Sequence, residues 1–107
     1  MDIFHQAQPA QIKSFLRKFK AKVRQQEYTL SPRAKNLEFL RRQGISIQAM
    51  EKIILALTAN AYDKGPDPDR KHSSEWIWVF KTKIDGCNLY IKLQLRDDFG
   101  FIISFHD

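Results

Sequence analysis

The stretch "WIWVFKTKIDGCNLYIKLQLR", residues 76 to 96, constrains the fold more than any other part of the chain. Apolar and polar residues alternate on both sides of Asp85-Gly86, the dipeptide that best fits a two-residue type I′ turn. Closure at that turn pairs Lys81 with Tyr90, Val79 with Lys92 and Ile77 with Gln94. Trp76, Trp78 and Phe80 then share the other face with Leu89, Ile91, Leu93 and Leu95. One face is a core face, and the other carries Lys81, Tyr90, Lys92, Gln94 and Arg96. A third strand is expected after "DDFGF", with a three-residue loop Asp98-Phe99-Gly100 in which Gly100 takes the left-handed position. That register sets Phe101, Ile103 and Phe105 in the core, and Ser104 and His106 opposite Gln94 and Lys92.

Ahead of these strands the period changes to that of helices. In "PAQIKSFLRKFKAKVRQQ", residues 9 to 26, Ile12, Phe15, Leu16, Phe19 and Val23 form an apolar stripe, with Pro9 where a missing N–H costs little. A second helix is expected from Ser31 as N-cap and Pro32 at the first position, with Ala34, Leu37 and Leu40 inward and Gly44 past its end. A third is capped by Ser46 and buries Ile47, Met50, Ile53, Ile54 and Leu57. The segment "ANAYDKGPDPDRKHSSE" reads as a loop rich in turn formers, carrying Lys64, Arg70, Lys71 and His72. The predicted organisation is α+β in a single domain, residues 1–107: a helical half 1–58, a loop 59–75 and a sheet half 76–107. The helices pack on one face of a three-stranded antiparallel meander.

Charge and cysteine usage narrow the function. The net charge of +6 is concentrated in residues 1 to 42, where ten Lys and Arg face three acids. Such a surplus favours polyanions, nucleic acid above all, because each neutralised phosphate releases counterions. Lys13, Arg17, Lys18, Lys20 and Arg24 make up the outer face of the first helix, which suits RNA, an acidic partner, an anionic membrane or plain solvent. Cys87 is the only cysteine, so an intrachain disulfide and a Cys-based zinc site are excluded. No segment approaches the roughly 18 apolar residues of a membrane span, and residues 1 to 10 lack the basic and apolar parts of a signal peptide. The expectation is a cytoplasmic protein that does not engage the membrane.

The polar sheet face has a chemistry of its own. Cleaving RNA without a metal requires a base for the 2′-OH, cations for the developing phosphorane and an acid for the leaving 5′-oxygen. Tyr90, Lys81, Lys92, Arg96 and His106 include groups for each task, although a charged outer sheet face is ordinarily just solvated.

From about Gln11 to its end the chain resembles the MqsR-type toxins, mRNA interferases of the RelE-like superfamily. The resemblance is carried by "SPRAKNLEFLRRQGISIQAMEKIILALTANAYDKG", "WIWVFKTK", "LYIKLQL" and "IISFHD", in that order. It implies a RelE-like fold and points to Lys64, Tyr90 and His106 as the residues linked to RNA cleavage, with no cofactor and no metal. By the same analogy Tyr90 or Lys64 acts as base, His106 as acid and Lys81, Lys92 and Arg96 as electrostatic clamps; from their places on the polar sheet face, the loop and the basic helix, Gln94, Arg70, Lys13, Arg17 and Lys18 are expected as further RNA contacts. A cognate antitoxin is implied, and contact with promoter DNA only through the complex with it. Two positions depart from the pattern: Val79 stands where the best-known members often carry Gln, and His106 replaces a terminal Lys. Two other functions fit the same residues: a non-catalytic inhibitor of a protein target, and a nucleic-acid-binding module dominated by the basic helix.

Overall fold

The computed structural model describes residues 6–71 and 75–107. Helix α1 (Pro9–Arg24) is followed by a short strand β1 (Tyr28–Leu30), then α2 (Ala34–Gln43) and α3 (Ile47–Leu55). A 3₁₀ turn at Ala59–Ala61 leads into β2 (Tyr62–Pro68), β3 (Trp76–Ile84), β4 (Cys87–Arg96) and β5 (Phe99–His106). The strands form one sheet in the order β1-β5-β4-β3-β2. This is an α+β fold in which the helices precede most of the sheet.

Local signals hold where local physics decides. Ile12, Phe15, Leu16, Phe19 and Val23 are all buried, so the stripe of α1 is the core stripe expected. Phe15 stacks on Trp78 with ring centroids 4.5 Å apart, which seats α1 on the apolar face of β3 and β4. Asp85 and Gly86 both take positive φ, 49° and 78°, and the β3–β4 register is the one their turn dictates. Ser46 caps α3, its hydroxyl accepting from Ala49 N at 3.0 Å.

Elsewhere tertiary partners override the sequence pattern. The sheet is five-stranded and mixed rather than a three-stranded antiparallel meander, because β1 pairs in parallel with β5 (Tyr28 with Gly100, Leu30 with Ile102). Three residues are too short a run for periodicity to announce a strand. Burial, and a bond donated to the Glu51 carboxylate, hold the Tyr28 hydroxyl well above its usual pKa and tie β1 to α3. The expected loop 59–75 is also corrected, since residues 62–68 pair antiparallel with β3. Their Gly and Pro are tolerated because β2 is an edge strand whose register shifts twice. Gly65, at φ 114°, packs so closely that a Cβ there would lie 2.6 Å from the Ile77 carbonyl oxygen. His72 lies outside the described residues.

The β4–β5 connection differs too. Asp97 and Asp98 form a two-residue turn with φ of 45° and 65°, so Arg96 pairs with Phe99 and Gln94 with Phe101. Gly100 is not the turn residue; it lies in β5, where a Cβ would come within 3.0 Å of Tyr28 Cβ. A bulge then adds one residue between Ile102 and Ser104, so that Ser104 lies opposite Lys92 and His106 opposite Tyr90 rather than opposite Gln94 and Lys92 as expected. Ile102 and Phe105 are core residues, while Phe101 and Ile103 are not. In α2 the N-cap is Arg33 rather than Ser31, and Ala34 and Leu37 point outward, Leu37 being 48% exposed. Its buried residues are Asn36, Phe39 and Leu40. In α3, Ile47 is likewise outside the core at 50% exposure, as is Trp76 in β3 at 48%.

Candidate active site

The face of the sheet away from α1 gathers the chemistry. Its rows follow from register, because residues paired across strands share a face. One row runs Lys81, Tyr90, His106 across β3, β4 and β5, and the next runs Lys64, Val79, Lys92, Ser104 across β2 to β5. Lys64, Tyr90 and His106 therefore lie on one face, with about 10 Å of sheet, two strand spacings, between β2 and β4.

Tyr90 and His106 are in ring contact, with centroids 5.5 Å apart at 32°. Lys92 places its ammonium 5.8 Å from the Tyr90 ring centre. His106 is only 7% exposed, and its ring lies against Tyr90. Its Nδ1 lies 2.9 Å from the Asp107 carbonyl oxygen. A carbonyl oxygen only accepts, so Nδ1 carries the proton and Nε2 is the nitrogen left to exchange one.

The bulge at Ile103 that brings His106 opposite Tyr90 is held from outside the sheet. β1 covers the edge of β5 only as far as Ile102, whose carbonyl accepts from Ser31 N. Beyond that point Asn36, fully buried in α2, takes over the backbone groups of β5. Its side-chain amide donates to the Ile103 carbonyl at 3.0 Å and its carbonyl accepts from Phe105 N at 2.9 Å. Sequence reasoning missed Asn36. The available signal was its phase, since Asn36, Phe39 and Leu40 share the i, i+3, i+4 stripe, and a polar residue in such a stripe needs a buried partner.

Several expected contacts lie elsewhere. Gln94 is fully buried, donating to Asp69 Oδ2 at 2.8 Å and accepting from Arg96 Nε at 2.6 Å. Arg96 also faces Asp69 at 3.7 Å and Glu75 at 3.4 Å, with its guanidinium 4.0 Å from the centre of the Phe101 ring. Asp69 and Glu75 thus lie over this end of the face and neutralise it. Arg96 is also about 20 Å along β4 from Tyr90, six residues at ~3.4 Å each. Arg70 is exposed on that same connection. Lys81 is paired with Asp63 at 3.7 Å.

Lys13, Arg17 and Lys18 are exposed on α1, on the far side of the molecule from Tyr90 and His106. Beside them Lys20 donates to the Leu57 carbonyl, and burial together with nearby Arg24 lowers its pKa. Changing Lys13, Arg17 and Lys18 together to Gln should leave any turnover on the polar face at its parental rate when RNA is saturating. Affinity should weaken and lose salt dependence through the reduced overall field. A salt series of binding and single-turnover rates separates the two effects.

Among the described residues no cluster of three or more His, Cys, Asp or Glu is placed to hold a metal ion, and no helix is long and apolar enough to cross a membrane. Residues 3–107 match the family described as "Motility quorum-sensing regulator, toxin of MqsA". No curated protein matches the chain.

Proposed function

The chain belongs to the MqsR toxin family, and from that premise we propose that it is a cytoplasmic endoribonuclease that cleaves mRNA without a metal ion and so arrests translation. The 2′-hydroxyl of RNA attacks the adjacent phosphate, the P–O5′ bond breaks, and the products are a 2′,3′-cyclic phosphate and a 5′-hydroxyl. Tyr90 or Lys64 takes the 2′ proton. His106, protonated at Nε2, gives a proton to the leaving 5′-oxygen. Lys92 lies one row over from this pair and stabilises charge on the phosphate oxygens.

The observation that carries this reading is the cross-strand contact of Tyr90 with His106, a phenol and an imidazole in ring contact with a lysine beside them. A solvated outer sheet face has no need of a bulge held by a buried asparagine to bring two such groups together. The family description names MqsA as the antitoxin, and an antitoxin of that type is the protein partner we infer. Contact with promoter DNA then belongs to the complex rather than to the toxin alone.

The deciding experiment is incubation of purified protein with defined single-stranded RNA in EDTA, with end-group analysis of the products. The expected result is cleavage giving 5′-OH and cyclic phosphate ends. Strict dependence on Mg²⁺ would exclude the mechanism. RNA left intact while the protein still arrests growth would favour a non-catalytic inhibitor.

A further inference from the structure

The cations around the polar face fall into two groups. Lys81 is paired with Asp63, Arg96 with Asp69 and Glu75, and Arg42 with Asp107 at 3.0 Å. A cation already facing a carboxylate has little left for a phosphate. Among the described residues, Lys64, Lys92 and Arg33 have no carboxylate within 4 Å, nor has Lys83, which stands at the hairpin end of the face one row beyond Lys81. Lys64 and Lys92 belong to the sheet. Arg33 does not: it precedes α2, and the sequence pattern marks it only as part of a helix start.

The position of Arg33 is nonetheless fixed onto the sheet. Its backbone is extended (φ −64°, ψ 142°) as the N-cap residue of α2, which leaves its side chain free to turn towards β5. Nη1 lies 3.2 Å from Ser104 Oγ and 3.4 Å from the Ile103 carbonyl oxygen. Ser104 is the cross-strand partner of Lys92 and precedes His106 by two residues on the same face. The guanidinium therefore stands at the β5 edge of the row that holds Lys92, next to the row that holds Tyr90 and His106. Asn36, less than one turn further along α2, bonds to Ile103 and Phe105, so Arg33 and His106 are referred to the same stretch of backbone. Both contacts of Arg33 use a single nitrogen of a group with five N–H donors.

We propose that Arg33 is a further catalytic residue of this site, contacting the scissile phosphate of RNA and stabilising charge on its non-bridging oxygens. A guanidinium presents parallel N–H groups at the spacing of two phosphate oxygens, and it keeps its charge at any working pH, so it acts as a clamp and exchanges no proton. Lys92 and Arg33 then hold the phosphate from β4 and from the β5 edge, leaving Tyr90 and His106 for the two proton transfers. The assignment rests on the ribonuclease reading.

The test is single-turnover cleavage of a defined RNA in EDTA by the parent protein, Arg33→Gln, Arg33→Lys and Arg33→Ala, each at saturating RNA. Gln retains a donor for the Ile103 carbonyl and so guards against a variant that merely loses its local structure. Arg33→Gln and Arg33→Ala should fall about 10²-fold in rate, as for loss of one charge-stabilising donor. Arg33→Lys should recover part of that loss, and added guanidinium ion should partly restore Arg33→Ala without accelerating the parent. Parental rates in Arg33→Gln, or a loss confined to RNA affinity, would overturn the role of Arg33 and leave the ribonuclease reading standing. A parent protein that leaves RNA intact would overturn both.

Discussion

Tyr90→Phe is expected to cut RNA roughly 10²- to 10⁴-fold more slowly than the parent while binding it equally well, the range lost when a positioned acid or base is removed. The phenyl ring retains the contact with His106 and the approach of Lys92, so only the hydroxyl is deleted. His106→Ala should lose cleavage over the same range. Because His106 is buried against Tyr90, it should also melt lower, by about 1 kcal/mol for the lost ring contact. Rates measured at saturating RNA, with melting curves for each variant, check both. If Tyr90→Phe still arrests growth, arrest does not pass through this hydroxyl, and the binding readings gain.

The largest effect on stability is expected from Asn36. Leucine is close to asparagine in size and favours a helix more, so Asn36→Leu would be harmless on an exposed face. Here it removes the side-chain partner of the Phe105 amide and of the Ser31 carbonyl, and leaves the Ile103 carbonyl only the longer 3.4 Å contact with Arg33. Each buried backbone group left unpaired costs about 1–3 kcal/mol, so the loss should reach about 3 kcal/mol or more, a large part of a small domain's stability. Asn36→Asp should be no better: it keeps an acceptor for Phe105 but loses the donor to Ser31 and Ile103 and adds a buried charge. Denaturant unfolding measures both. A midpoint for Asn36→Leu equal to that of the parent would show that α2 does not hold the edge of β5.

What could be read from the sequence was whatever neighbouring residues decide among themselves. The α1 stripe, the Ser46 cap and the hairpin closed at Asp85-Gly86 depend on residues close in the chain, and each was legible. The β1 pairing with β5 joins segments from opposite ends of the chain, and β2 hides Gly65, Pro66 and Pro68 inside an edge strand. Neither leaves a local mark. The site shows the same division. Strand alternation put Tyr90 and Lys92 on the polar face, while the two-residue turn at Asp97-Asp98 together with the bulge at Ile103, neither visible to a strict two-residue period, decided that His106 meets Tyr90 rather than Lys92. Gln94 and Arg96 have the right phase for an exposed face, yet Asp69 and Glu75 come from a distant connection to neutralise them. Arg33 reaches its position through a loop conformation that no periodicity describes.

The strand order has a consequence for how the protein comes into being. β5 follows the other four strands in sequence, yet it lies in the interior of the sheet between β1 and β4. As the chain is synthesised, β1 has no strand to pair with and β4 has one open edge until residues 99–106 arrive. The β1–β5 pairing is distant in sequence and therefore slow, whereas β4 and β5 are joined by a two-residue turn, so the edge of β5 that β1 will cover is the one left open longest. Docking of β5 supplies a partner to both β1 and β4 and sets His106 opposite Tyr90. A nascent chain therefore presents Lys64, Tyr90 and Lys92 before His106 can join them, and the polar face is completed only when β5 docks.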